Sequence, residues 1–155
     1  MPNWKYAYKI PTDKEDIMVK ASLREASISP KHAVEISREI KGLTIEEARR
    51  LLEDVVNFKR PIAFKRYNKK VPHRRGLEGW PTGRYPVKAA QHFLKLLDNL
   101  ENNAEMKGLD TSRLKIIHCA AYKGRKIKKY VPRAFGRSSP FFDTLVHVEI
   151  VAEEV

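Results

Sequence analysis

Two β-rich runs near the C-terminus, LKIIHCAAY (Leu114–Tyr122) and LVHVEIVAE (Leu145–Glu153), constrain the fold most tightly. The second alternates Val146, Val148, Ile150 and Ala152 against His147, Glu149, Val151 and Glu153, the period-two pattern of a strand with one face buried. Between the runs lies KGRKIKKYVPRAFGR (Lys123–Arg137), where seven of fifteen residues are Lys or Arg and none is acidic. If the runs pair, this segment continues outward as a hairpin arm. Its outgoing residues, Lys123 to about Val131, would extend roughly 30 Å past the body at ~3.3 Å per residue. Ile127, Tyr130, Val131 and Phe135 do not alternate well enough to face a core. An isolated two-stranded ribbon is marginal in water and exposes its edges, so something outside the chain must hold it. Lys and Arg along such a ribbon suit a sheath of phosphates.

Upstream, Met18–Arg24 alternates Val19, Ala21 and Leu23 against Lys20, Ser22 and Arg24 and predicts a half-buried strand. Trp4, Tyr6, Tyr8 and Ile10 also alternate, up to Pro11, and read equally as an edge strand or as an extended arm with aromatics free to stack on bases. Ser29-Pro30 starts a helix with Ala33, Ile36 and Ile40 on one face and Gly42 as its left-handed terminator. TIEE (Thr44–Glu47) is a capping box, followed by the stripe Ile45, Ala48, Leu52, Val55. Glu46 and Glu47 read as charges set against the helix macrodipole rather than as an acid–base pair. A third helix opens at Pro86, carries Ala90, Phe93, Leu94, Leu97 and Leu100, and ends before Gly108. The fold class expected is α+β: three helices packed on a small three-stranded antiparallel sheet, with a long protruding β-hairpin. At 155 residues this is a single domain, 1–155, able to bury roughly 70% of its unfolded surface.

Between the second and third helices, residues 59–84 form a long loop with three Pro and three Gly and no sustained period. Loops of that length are functional or disordered. This one carries Lys59, Arg60, Lys65, Arg66, Lys69, Lys70, Arg74, Arg75 and Arg84, with Phe64, Tyr67 and Trp80 among them, the mix expected where a loop meets RNA. Residues 59–88 and 113–137 together hold nineteen basic side chains and one acidic, or +18. The other hundred residues hold twelve basic and eighteen acidic, or −6, within an overall charge of +12. A slightly acidic body bearing two strongly basic segments points to a polyanionic partner.

Other functions find little support. No phosphate-binding Gly-rich loop, dinucleotide fingerprint, HExxH or nucleophile with an evident base is present, so no enzyme is expected. His118, Cys119 and His147 can approach across the hairpin but lack zinc-site count and spacing, so no metal or cofactor is expected. His92 reads as a packed or solvent-facing imidazole. The single cysteine excludes an internal disulfide and fits a reducing cytosol. No apolar leader and no run of eighteen apolar residues is readable, so neither signal peptide nor membrane span is expected.

Several stretches resemble one family. PRAFGR (Pro132–Arg137), with basic residues before it and a β-rich C-terminus after it, resembles the hairpin of the large-subunit ribosomal protein L twenty-two family. GRYPVKAAQHFLKLLDNLENNAEMKGLD (Gly83–Asp110) is similar to the third helix of its archaeal and eukaryotic branch. IAFKRYN (Ile62–Asn68) and EIKGLTIEEARRLLEDV (Glu39–Val55) fit as well. The likeness runs from roughly residue 8 to 153, and the lack of a long lysine-rich C-terminal tail favours an archaeal source.

The resemblance implies a non-enzymatic protein of the cytoplasmic large ribosomal subunit, seated on its rRNA near the exit side among neighbouring ribosomal proteins. Its hairpin would line the polypeptide exit tunnel and meet the nascent chain. By position, Arg133, Ala134, Phe135, Gly136 and Arg137 match the tunnel-lining tip, and Lys123, Arg125, Lys126, Lys128 and Lys129 match the stem. Phe135 falls at a variable tip position, and the stem is more basic than in some relatives. No obligate homo-oligomer is expected. The alternative from another class is an architectural protein that lays a β-arm in a DNA groove, usually as a dimer offering two arms.

Overall fold

The structure, a computed structural model, describes residues 5–155. Strand β1 (Met18–Ala26) leads into helices α1 (Pro30–Ile40) and α2 (Ile45–Val56). Two-residue strands β2 (Ile62–Ala63) and β3 (Gly83–Arg84) precede the long helix α3 (Val87–Lys107). The chain closes with β4 (Leu114–Ile127), β5 (Tyr130–Pro132), β6 (Ser138–Pro140) and β7 (Asp143–Glu154). The main sheet is antiparallel in the order β1-β7-β4, with the helices on one face, the expected α+β layer.

Local sequence explains the helices. Thr44 accepts from the Glu47 amide at 3.3 Å while the Glu47 carboxylate accepts from the Thr44 amide at 3.0 Å, so the capping box forms in full. Those hydrogen bonds hold the exposed Glu47 carboxyl below the usual range, consistent with a capping rather than a catalytic role. Gly42 and Gly108 take left-handed backbone just beyond α1 and α3. Ala33, Ile36 and Ile40 of α1, Ala48, Leu52 and Val55 of α2, and Ala90, Phe93, Leu97 and Leu100 of α3 are fully buried. They meet Val146, Val148, Ile150 and Ala152 from the inner face of β7. Register follows this pattern, with Ala21 and Cys119 both opposite Ile150, and Leu23 and Ala121 both opposite Val148.

The outer face of β7 departs from the alternation reading. Glu149 and Val151, expected toward solvent, are completely buried. Residues 5–10 explain this: they form no strand, bend at Ala7 and Tyr8, and lie against that face. The Ala7 amide donates to Glu149 Oε2 at 2.9 Å, while Tyr8 stacks on His118 with centroids 5.1 Å apart. His118 Nε2 and the Tyr122 hydroxyl donate to Glu149 Oε1 at 2.8 and 2.9 Å. The buried carboxyl group is thus hydrogen-bonded on both oxygens, as buried polar groups are in folded proteins. Tyr8 is occupied by this stack, and Trp4 of the same alternation lies outside the described residues.

The loop at 59–84 also differs from expectation. Residues 61–64 are buried, and β2 pairs with β3, Ile62 opposite Arg84 and Ala63 opposite Gly83. A two-residue strand is too short to show a period, which is why the sequence reads as loop. Gly83 is required by the close approach: a Cβ there would stand 2.6 Å from Leu77 Cδ1 and 2.8 Å from the Ile62 carbonyl oxygen.

Candidate nucleic-acid interface

The basic loop is fastened to the body by its backbone, which leaves its cations facing out. Glu35, buried on α1, accepts the Arg66 and Tyr67 amides on Oε1 at 2.8 and 2.9 Å. The Trp80 indole donates to the Phe64 carbonyl and to Thr82 Oγ1, both at 2.9 Å. His73 bridges to Thr82, and the Phe64 amide donates to the Thr82 carbonyl at 3.0 Å. Lys59, Arg60, Lys65, Arg66, Lys69, Lys70, Arg74, Arg75 and Arg84 are all exposed on this frame.

The loop aromatics, expected as part of an RNA contact, are mostly taken up by the protein. Phe64 is 2% exposed and meets the His32 ring edge-on at 5.4 Å. Trp80 uses its N–H within the loop. Tyr67 remains half-exposed, with the Lys31 ammonium 5.8 Å and the Arg66 guanidinium 5.5 Å from its ring centre. Lys31 therefore joins the basic surface. It sits just after the helix-opening Pro30, where a lone lysine gives no signal in sequence. Burial, and then the Arg84 charge, push the His32 imidazole below its ordinary pKa.

The arm is built differently. β4 and β7 stay paired out to Ile127 opposite Asp143, past a register break between Lys123 and Lys126. A second short ladder joins β5 to β6, with Tyr130 opposite Pro140 and Pro132 opposite Ser138. The turn closes with the Arg133 amide donating to the Arg137 carbonyl at 2.7 Å, across Phe135 and Gly136 in left-handed backbone. Lys123, Arg125, Lys126, Lys128 and Lys129 are exposed along the stem, as are Arg133, Ala134, Phe135, Gly136 and Arg137 at the tip. Phe135 is 98% exposed. Tyr130 and Phe142 meet edge-to-face at 5.7 Å where the two ladders join.

Of the fourteen loop and stem cations, among the described residues only Arg60, toward Glu39 at 3.8 Å, and Lys129, toward Asp143, form an ion pair. Elsewhere the body neutralises itself, as where Arg49 bridges Asp98 at 2.8 Å and Glu101 at 2.7 Å. Burial pushes the Cys119 thiol up to about 12, so it is an inert core group rather than a nucleophile. No helix among the described residues is long and apolar enough to cross a membrane.

A small α+β body that holds two sets of exposed, largely unpaired cations is the build of an RNA-binding structural protein. The family described as Ribosomal protein L22p/L17e matches residues 21–153, and the chain belongs to it. It is similar to proteins named "Large ribosomal subunit protein uL22" from three archaea. The Thermofilum pendens protein is 56% identical over 155 residues, covering 100% of this chain and 99% of the relative. The Archaeoglobus fulgidus protein is 62% identical over 148 residues, 96% of this chain and 94% of its own. The Methanocaldococcus jannaschii protein is 49% identical over 150 residues, 97% and 96% respectively. The family is one of structural proteins rather than enzymes.

Proposed function

We propose that this chain is a structural constituent of the cytoplasmic large ribosomal subunit, bound to large-subunit rRNA through its two basic segments. The observation that carries this reading is the set of fourteen exposed loop and stem cations, twelve without a carboxylate partner among the described residues. Lys59, Arg60, Lys65, Arg66, Lys69, Lys70, Arg74, Arg75 and Arg84 meet phosphates from the loop, and Lys123, Arg125, Lys126, Lys128 and Lys129 from the stem. Each contact releases condensed counterions. The body lies near the exit side, beside neighbouring large-subunit proteins, as a monomer. The hairpin lines the polypeptide exit tunnel, with Arg133, Ala134, Phe135, Gly136 and Arg137 facing the nascent chain. Support for this placement is the family membership together with a tip whose residues 133–137 are all exposed.

The test compares ribosomes carrying the full chain with ribosomes carrying a chain that lacks residues 126–136. Subunit occupancy should persist at lower affinity, arrest-peptide response should change, and formation of a single peptide bond should not. Unchanged stalling at full occupancy contradicts the tunnel role. Failure to assemble makes the hairpin chiefly an element that folds RNA. Preference of the purified protein for duplex DNA over folded rRNA, with dimer formation, contradicts the ribosomal reading as a whole.

A further inference from the structure

Phe58 occupies a position that helix chemistry reserves for glycine. It follows Asn57, the residue that caps α2, and has a left-handed φ of 57°. Bulky side chains are rarely found there, because the Cβ crowds the following carbonyl. Burial does not compensate, since Phe58 is 64% exposed. Its ring instead leans on Tyr85, with centroids 5.5 Å apart and planes 52° from parallel, and the Arg74 guanidinium stands 5.8 Å from the Tyr85 ring. Exposed Lys59 and Arg60 follow Phe58 directly, and exposed Arg75 follows Arg74.

A strained, open aromatic ring with a second ring behind it and cations beside it has the make-up of a nucleobase-stacking site. Of the three loop aromatics that sequence points to, Phe64 is buried, the Trp80 indole is held by its hydrogen bonds, and Tyr67 is only half-exposed, with cations beside its ring. We infer that Phe58, backed by Tyr85 and Arg74, is a platform on which one unpaired base of the bound RNA stacks, with Lys59, Arg60 and Arg74 meeting the flanking phosphates. The platform rests on the rRNA-binding reading and names where and how that binding reads an unpaired nucleotide. The flanking cations favour RNA over a protein partner, for which a bare aromatic pair would serve without them.

The strain supplies a test that separates binding from structure. In the full-length chain, Phe58→Gly relieves the left-handed backbone, so the melting temperature should hold or rise. Affinity for deproteinised large-subunit rRNA should nevertheless fall roughly tenfold, the ordinary effect of losing one stacked base. The slope of log affinity against log salt should stay the same, because no charge is removed. Phe58→Trp should keep wild-type affinity. A purely structural Phe58 predicts the reverse, with affinity tracking stability. Wild-type affinity in Phe58→Gly overturns the platform. If Arg74→Ala/Arg75→Ala or Lys126→Ala/Lys128→Ala weakens binding in the same assay, the rRNA-binding reading survives that result, and if neither does, that reading falls too. Unchanged rRNA affinity with reduced incorporation into subunits also overturns the platform and assigns the ring to a protein neighbour.

Discussion

The basic loop and the hairpin arm carry similar charge but are held in different ways. The loop sends Ile62, Ala63 and Phe64 into the core and hangs its backbone on Glu35, Thr82 and Trp80. The arm beyond Ile127 has its own ladder, one turn-closing hydrogen bond and an edge-to-face ring pair, with every residue from 125 to 138 exposed. A run of cations therefore predicts a partner without predicting order. Anchorage to the core comes from the few buried apolar residues within the run, which the loop has and the arm lacks.

The same substitution made in each region sharpens the contrast most. Phe64→Ala should lower the unfolding free energy by about 3–5 kcal/mol, the range for emptying a buried phenylalanine site. Phe135→Ala should change it by no more than about 0.5 kcal/mol, as at exposed positions. Urea denaturation of the two variants measures both, and equal losses would erase the distinction between a seated loop and an unsupported arm.

Glu35→Ala comes next. It removes the acceptor for two loop amides while leaving every cation in place, and should cost about 2 kcal/mol. Amide protection at Arg66 and Tyr67 should fall with it, as read by hydrogen exchange. In the unaltered free protein, amides of Lys126–Arg137 should exchange quickly while those of Val148–Ile150 stay protected. Strong protection of the tip without RNA would make the arm self-supporting.

The smallest effect is one of pH. His32 has a folded-state pKa below its ordinary value of 6.5, from burial and the Arg84 charge. As pH falls through 6.5 the unfolded chain takes up the proton first, so stability drops between that point and the depressed folded pKa. His92, lowered by burial and by Lys95 and Lys88, adds a contribution of the same sign. His32→Phe should flatten part of the decline in melting temperature between about pH 7 and pH 5, since it removes one such group. An unchanged decline would mean that the loop's contact with α1 through Phe64 and His32 has no part in it.

Periodicity carries most of the fold. α1, α2 and α3 have apolar stripes and terminators that physics reads locally, and the inner face of β7 follows from alternation alone. The outer face does not, because its covering comes from residues 5–10, more than a hundred positions away. Glu149 accordingly looks like a solvent residue in sequence and is a buried acceptor in the fold. The exposed cations of the candidate site are legible because a dense run of charge cannot be buried. Phe58 and Tyr85 are not, since an aromatic beside a helix end reads as ordinary packing until its exposure and backbone are seen.

The salt dependence of rRNA binding bears most directly on the two-segment reading. Affinity should fall steeply as salt is raised. Arg74→Ala/Arg75→Ala in the loop and Lys126→Ala/Lys128→Ala in the stem should each flatten the slope of log K against log salt by about 1–2, roughly one unit per lost phosphate contact. Combined, the four substitutions should flatten it by the sum. Slopes unchanged by either pair would contradict phosphate contact by that segment, and slopes unchanged by both would remove the physical basis for placing the two basic segments on RNA.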